Sequence, residues 1–377
     1  MEASEAAVTG RYYARELRRR VTHYVEKRRR GYRDHGSLER AAERILADRA
    51  ARGFEAGGHF RGVWPRDLAF AAPGLVARGY GDAVAETGDW IVDQLLAGDV
   101  FYTDFHDRYH AATPAAGVDT FPAVVRLLDE CGRLEARADA IAELAARHRE
   151  RFVADSGLVT GAGSAWWDSA VRPRETYNTA MLLAAVERLE RRGIETPLTG
   201  ESEAIRDALN SRWNGHYFDE HGRSNRRGLV GGPGGGSSVL ACDANVVPLY
   251  LGVVDDDRAA AVVDALECLE TPNGLCMRER PFSHAAVHPF FLLHRDYHYH
   301  VWPWNCLMYA VGLRRYGYEE RARREIGRVR RLLAPYGNFL EVCTLEGEPY
   351  VKRGYASAED FTVAAALWAE YHDGSSA

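Results

Sequence analysis

The feature that most limits how this chain can fold is a sixfold alternation of two kinds of helical segment and two kinds of connection. A charge-rich amphipathic stretch comes first, then a long loop, then a more apolar stretch, then a short turn. In the first round these are SLERAAERILADRA, GGHFRGVWPRD and LAFAAPGLVARG, and the last round closes with FTVAAALWAEYH. The paired helical segments read 37–50 with 68–79, 82–97 with 120–132, 133–152 with 175–193, 201–214 with 242–254, 257–270 with 305–317, and 318–337 with 361–372. Helices with one apolar stripe pack their charged side toward water, and helices apolar all round are buried. Short turns join antiparallel neighbours. Six such pairs close into a double ring, an all-α (α/α)6 barrel, with every long loop at one mouth. An open solenoid of helix pairs is the alternative, but it would carry a residue consensus at constant period, and none is present.

Composition narrows the function classes. Hydrophobic residues make up 46% and charged residues 27% of 377, as in a globular enzyme. A net charge of −6 argues against a general nucleic-acid binder. The six cysteines are scattered with no CxxC pair, which fits buried thiols in a reduced, cytoplasmic protein. The first twenty residues contain no apolar segment of the secretory type, and no stretch suits a membrane span. A basic helix is expected over residues 10–30. The domain reading is therefore 1–36 as an N-terminal helix packing on the barrel, and 37–377 as the barrel.

The long loops concentrate chemistry. They carry Trp64, Arg66 and Asp67; Tyr102 and Asp104; Trp166, Trp167 and Asp168; His298, His300, Trp302 and Trp304; and Glu341 with Glu346 and Glu348. Aromatic rings stack on the C–H faces of sugars, while Asp, Arg, His and Asn bind hydroxyls. Hydrolysis of a glycosidic bond further needs two carboxyl groups flanking it. Each residue also has a purely structural use. Asp168 sits where Asp favours turns and helix entries. Arg66 and Asp67 could form a charge pair at a helix start. The histidines lack the Cys or carboxylate framework of a zinc site, so no metal is expected. GGPGGGSS at 231–238 lacks the GK[ST] of a phosphate loop.

Four segments, in order from about residue 62 to residue 368, resemble six-hairpin glycosidases, closest to the glucoamylase and amylo-α-1,6-glucosidase (glycogen debranching) type. They are VWPRDLAFAAPGL, AWWDSAVRPRETYNTAMLLAAVERL, YHVWPWNCLMYAVG and NFLEVCTLEGEPYVKRGYASAEDFTVAAALW. The resemblance implies an inverting exo-hydrolase of α-glucosides that needs no cofactor. Asp168 would be its general acid and Glu341 its general base. Trp64, Arg66, Asp67, Tyr102, Asp104, Trp166, Trp167, Asn178, His298, His300, Trp302 and Trp304 would bind substrate, a short oligosaccharide or small glycoside. The pattern departs from the family where Glu359–Phe361 replaces the usual Trp-Ser pair before the last inner helix. Two other readings use the same barrel. One is a sugar 2-epimerase working through His298 and His300, and the other is a carbohydrate sensor without acid and base. Two carboxylates across a pocket favour hydrolysis, two His near a small pocket favour epimerisation, and binding with no turnover marks the sensor.

Overall fold

The computed structural model describes residues 2–98, 100–106, 109–111, 117–160, 175–221, 239–287 and 289–373. Asp168, Trp166 and Trp167, together with the 231–238 glycine run, lie outside these.

The chain opens with helix α1 (Glu2–Arg30), eight residues longer at its start than the periodicity suggests. Among the described residues, twelve α-helices follow: α2 (Leu38–Arg52), α3 (Pro65–Ala77), α4 (Gly81–Ala97), α5 (Thr120–Glu130), α6 (Ala138–Phe152), α7 (Glu175–Arg191), α8 (Ser202–Asn210), α9 (Cys242–Leu251), α10 (Asp256–Leu266), α11 (Pro303–Arg315), α12 (Glu319–Leu333) and α13 (Thr362–Asp373). The odd-numbered helices from α3 onward form a closed inner ring, in which α3, α5, α7, α9, α11 and α13 each pack on the next and α13 packs back on α3. The even-numbered helices lie outside them. The sixfold alternation is therefore an (α/α)6 barrel.

Burial follows the sequence pattern. Every residue of α9 is buried, as expected of an inner helix. In α12 only Ala322, Glu325, Ile326, Val329, Leu332 and Leu333 are buried, a single stripe at helical spacing. The inner ring is tight enough to require glycine where α3 crosses α13. A Cβ on Gly74 would lie 2.0 Å from the Ala366 carbonyl oxygen.

Two inner helices begin with the same device. Trp64 precedes Pro65 and Trp302 precedes Pro303, and both tryptophans are extended, with φ/ψ of −94°/117° and −106°/106°. Proline disfavours helical geometry in the residue before it, yet suits the first helical position, where its missing N–H is no loss. The Trp-Pro pair thus sets both the helix start and the tryptophan at the mouth. Arg66 and Asp67, expected in a loop, lie in the first turn of α3.

Among the described residues, three two-stranded hairpins stiffen the mouth: β1 (Asp104–His106) with β2 (Tyr109–Ala111), β3 (Glu270–Thr271) with β4 (Gly274–Leu275), and β5 (Val351–Lys352) with β6 (Tyr355–Ala356). No helix within them is long and apolar enough to cross a membrane.

Candidate active site

Glu341 lies in the connection between α12 and α13 and is 3% exposed. Its backbone amide donates to the Ala358 carbonyl at 2.9 Å, and the Ala358 amide donates back to its side-chain Oε2 at 3.1 Å. The Tyr355 hydroxyl donates to Oε2 at 2.6 Å, and the Tyr297 hydroxyl donates to Oε1. Burial pushes the carboxyl above its ordinary pKa, while the two tyrosines and the amide oppose that by stabilising the anion. A carboxylate so held is oriented and shielded from bulk water, yet keeps donors that favour its charged form.

A pairing that joins three loops brings Tyr297 to Glu341. Val301 exchanges backbone hydrogen bonds with Cys343 at 3.0 and 2.8 Å, and Cys276 bridges to Val301 from the other side. This lays the 297–302 segment alongside 341–343. Trp302 then donates its indole N–H to the Tyr297 carbonyl at 3.1 Å and stacks on Trp304, centroids 5.4 Å apart. His298 is buried between Phe282 and Trp302. His300 Nε2 lies 3.6 Å from Asp296, and burial lowers its pKa.

From Tyr355 a run of ring contacts leads round the mouth. His59 packs edge-on to Tyr355 at 5.3 Å and against Phe60 at 4.1 Å. Phe60 meets Trp64 at 5.6 Å, and Trp64 meets His106 at 6.4 Å. His106 Nε2 is 2.9 Å from Asp104 Oδ2. The Gly57–Gly58 pair lets this loop lie flat on the next, since a Cβ on Gly58 would be 2.7 Å from Ala358 Cβ. Tyr102 is half-buried beside Phe105, and its carbonyl accepts from the Thr120 hydroxyl at 2.9 Å.

A second polar group lies at the first turns of the inner helices. Arg66 Nε donates to Asp67 Oδ1 at 2.8 Å. Asp119, just before α5, accepts from the Tyr177 hydroxyl at 2.6 Å and is 1% exposed. Burial raises the Asp119 pKa to about 6, against the lowering influence of Arg66. Asn178, next to Tyr177 in α7, is also buried.

The structure thus gathers Glu341, Trp302, Trp304 and the His298–His300 segment on one arc. It places Trp64, Tyr102 and Asp104 on the next, and Arg66, Asp67 and Asn178 in helix first turns. Sequence reasoning missed Tyr297, Tyr355 and Asp119. Tyr297 stood within the run RDYHYHVWPW, between residues that were chosen, but nothing in its type marked it as a partner of Glu341. Among the described residues, no group of three or more His, Cys, Asp or Glu is arranged to hold a metal ion.

The family model for the mannosylglycerate hydrolase MGH1-like glycoside hydrolase domain matches residues 174–344, a span that includes Glu341. No curated protein is significantly similar in sequence. Solved structures similar to this chain include the GH63 mannosylglycerate hydrolase of Thermus thermophilus in complex with Tris and D-glycerate. It is 18% identical, with 89% of this chain and 100% of that chain covered and a TM-score of 0.59. The neutral trehalase of Saccharomyces cerevisiae is 13% identical, covering 84% and 72%, with a TM-score of 0.58. A bacterial glucoamylase complexed with acarbose is 13% identical, covering 89% and 55%, with a TM-score of 0.59. At these identities the structural likeness establishes the fold. The chain thus has the fold of the six-hairpin glycosidases and is similar over residues 174–344 to a glycoside hydrolase domain.

Proposed function

We propose that the protein is an inverting exo-hydrolase of a small α-glucoside, with Glu341 as general base and Asp168 as general acid. The observation that carries this is the setting of Glu341, a buried carboxylate at the mouth held by two tyrosine hydroxyls and an amide. A base that activates water must be ionised, fixed in direction and screened from bulk solvent. Asp168, which precedes α7 in the sequence, would protonate the leaving oxygen, and its sequence neighbours Trp166 and Trp167 would keep its pKa high. Arg66 and Asp67 would bind hydroxyls of the terminal sugar, while Trp64 and Trp302 would offer faces to stack on. A cytoplasmic setting agrees with six free cysteines, four of them buried.

One observation favours a second substrate. The matched family model is that of mannosylglycerate hydrolase, and a similar structure binds D-glycerate. A hexosyl glycerate would use the same acid and base.

The test is sugar release from maltose, isomaltose, panose, trehalose, sucrose and mannosylglycerate, with the anomer of the first-formed product followed by NMR. We expect one substrate class to be hydrolysed with inversion, and Glu341→Gln and Asp168→Asn each to lower kcat about 100-fold or more. Retention of configuration, or full activity in either variant, would overturn the assignment.

A further inference from the structure

Helix α1 lies across the mouth of the barrel. His23 Nε2 is 3.0 Å from the Ser357 carbonyl oxygen, and Lys27 forms a buried ion pair with Glu359. Ser357 and Glu359 flank Ala358, whose amide holds Glu341. One turn earlier on α1, the Arg20 guanidinium sits over the Tyr355 ring, 5.2 Å from its centroid. The helix is therefore clamped to the segment that orients the base, and Arg20 is the residue it brings there.

We infer that Arg20 is a positioning residue for Glu341, holding Tyr355 by cation–π contact so that its hydroxyl stays on the carboxylate, and setting a fixed positive charge beside that carboxylate. This rests on the reading of Glu341 as the general base. A cation over a tyrosine ring is attracted by the electron-rich face, so the contact restrains the ring as well as the guanidinium. Tyr355 turns that restraint into a hydrogen bond on Oε2. The neighbouring titratable groups on the elements packed round Glu341 do not supply the charge. His23 on α1, His59 from the connection between α2 and α3, and His294 from the 289–300 segment are all held below the ordinary imidazole pKa, chiefly by burial. Lys27 is tied to Glu359. Tyr32, Tyr297, Tyr350 and Tyr355 are pushed far above the ordinary phenol pKa by burial and stay protonated. Arg20 favours the ionised form of Glu341, after the hydrogen bonds from Tyr297, Tyr355 and Ala358 and against the dominant effect of burial.

The test titrates Glu341 directly. In protein labelled with 13C at the glutamate carboxyls, the Glu341 resonance is assigned by its loss in Glu341→Gln. It is then followed from about pH 3 to pH 9 in wild type, Arg20→Gln and Arg20→Lys, alongside thermal melting and the pH profile of kcat/KM. Loss of a nearby opposite charge raises a carboxyl pKa by about one unit. We expect that rise in Arg20→Gln, at least half of it recovered in Arg20→Lys, and the acid limb of kcat/KM moving in step. An unmoved Glu341 midpoint in Arg20→Gln would overturn the inference. So would equal shifts in both variants with a common loss of melting temperature, which would mean that α1 had simply come loose. If the wild type hydrolyses no glycoside but the midpoint moves as expected, the functional reading fails and the role of Arg20 stands. If the wild type turns over and the midpoint stays put, the role of Arg20 fails and the functional reading stands.

Discussion

Burial and hydrogen bonding pull the Glu341 carboxyl in opposite directions, and with Glu341 as the proposed base their balance would set the acid limb of activity. Burial raises its pKa, and the Tyr297, Tyr355 and Ala358 donors limit the rise. Because a general base works ionised, any loss of these donors should move the acid limb of kcat/KM to higher pH. A hydrogen bond to a charged group contributes about 1.5–3 kcal/mol, equivalent to roughly one to two pH units. Tyr355→Phe should therefore shift the limb upward by about one unit, with kcat/KM near neutrality recovering part of the loss as pH rises. A pH–rate profile decides it, and a uniform fall at every pH would contradict this account. Glu341, the proposed base, stood out in the sequence because the NFLEVCTLEGEPY segment resembles a known one. Its tyrosine partners were not, since Tyr355 lies 14 residues and Tyr297 44 residues away. Asp119 was hidden for a related reason. An Asp before a helix reads as a cap, and only the approach of Tyr177 from α7 shows it buried.

At the level of single elements, helix positions followed from periodicity because inner and outer helices differ in how much surface they hide. The segment 242–254 was readable as an inner helix from its nearly continuous apolar run, and α9 is buried throughout. How closely two inner helices approach was not readable, because it depends on which faces meet across the ring. Gly74 shows the consequence. The backbones of α3 and α13 come so near that a Cβ at Gly74 would stand 2.0 Å from the Ala366 carbonyl oxygen. Gly74→Ala should push the two helices apart and destabilise the fold by about 1–3 kcal/mol, the usual cost of overpacking. Alanine is the better helix former, so the opposite result in urea unfolding would mean the contact is looser than this. The short pairings at the mouth were equally invisible. Val301 and Cys343 pair through a single bridge, too short to leave an alternating pattern in sequence.

On the scale of the whole barrel, the end away from the mouth is closed by charge as well as by apolar packing. Arg126 from α5 donates to the Tyr250 hydroxyl of α9 at 2.8 Å, and that hydroxyl donates to Glu370 of α13 at 2.9 Å. Burial raises the Glu370 pKa from 4.5 to about 7. Below pH 4.5 the carboxyl is protonated in both folded and unfolded states. Between pH 4.5 and about 7 it is protonated only when folded, so folding takes up a proton and stability falls as pH rises. Above about pH 7 that loss is complete. Glu370→Gln removes the titration, so its melting temperature should gain on the wild type as pH rises from about 4.5 to 7.5. A difference independent of pH would rule this out. The sequence carried the ring itself, because the alternation of charged and apolar helices tells each segment which layer to join, and six antiparallel pairs leave their long loops at one end. Local residue order also singled out Glu341, the proposed base. Tertiary structure was needed for whatever depends on residues distant in the chain meeting across the barrel: the tyrosines on Glu341, the Arg126–Tyr250–Glu370 relay, and α1 lying over the mouth. Local periodicity reports how a segment divides between water and core, and it holds no information about which distant side chain arrives on the other side.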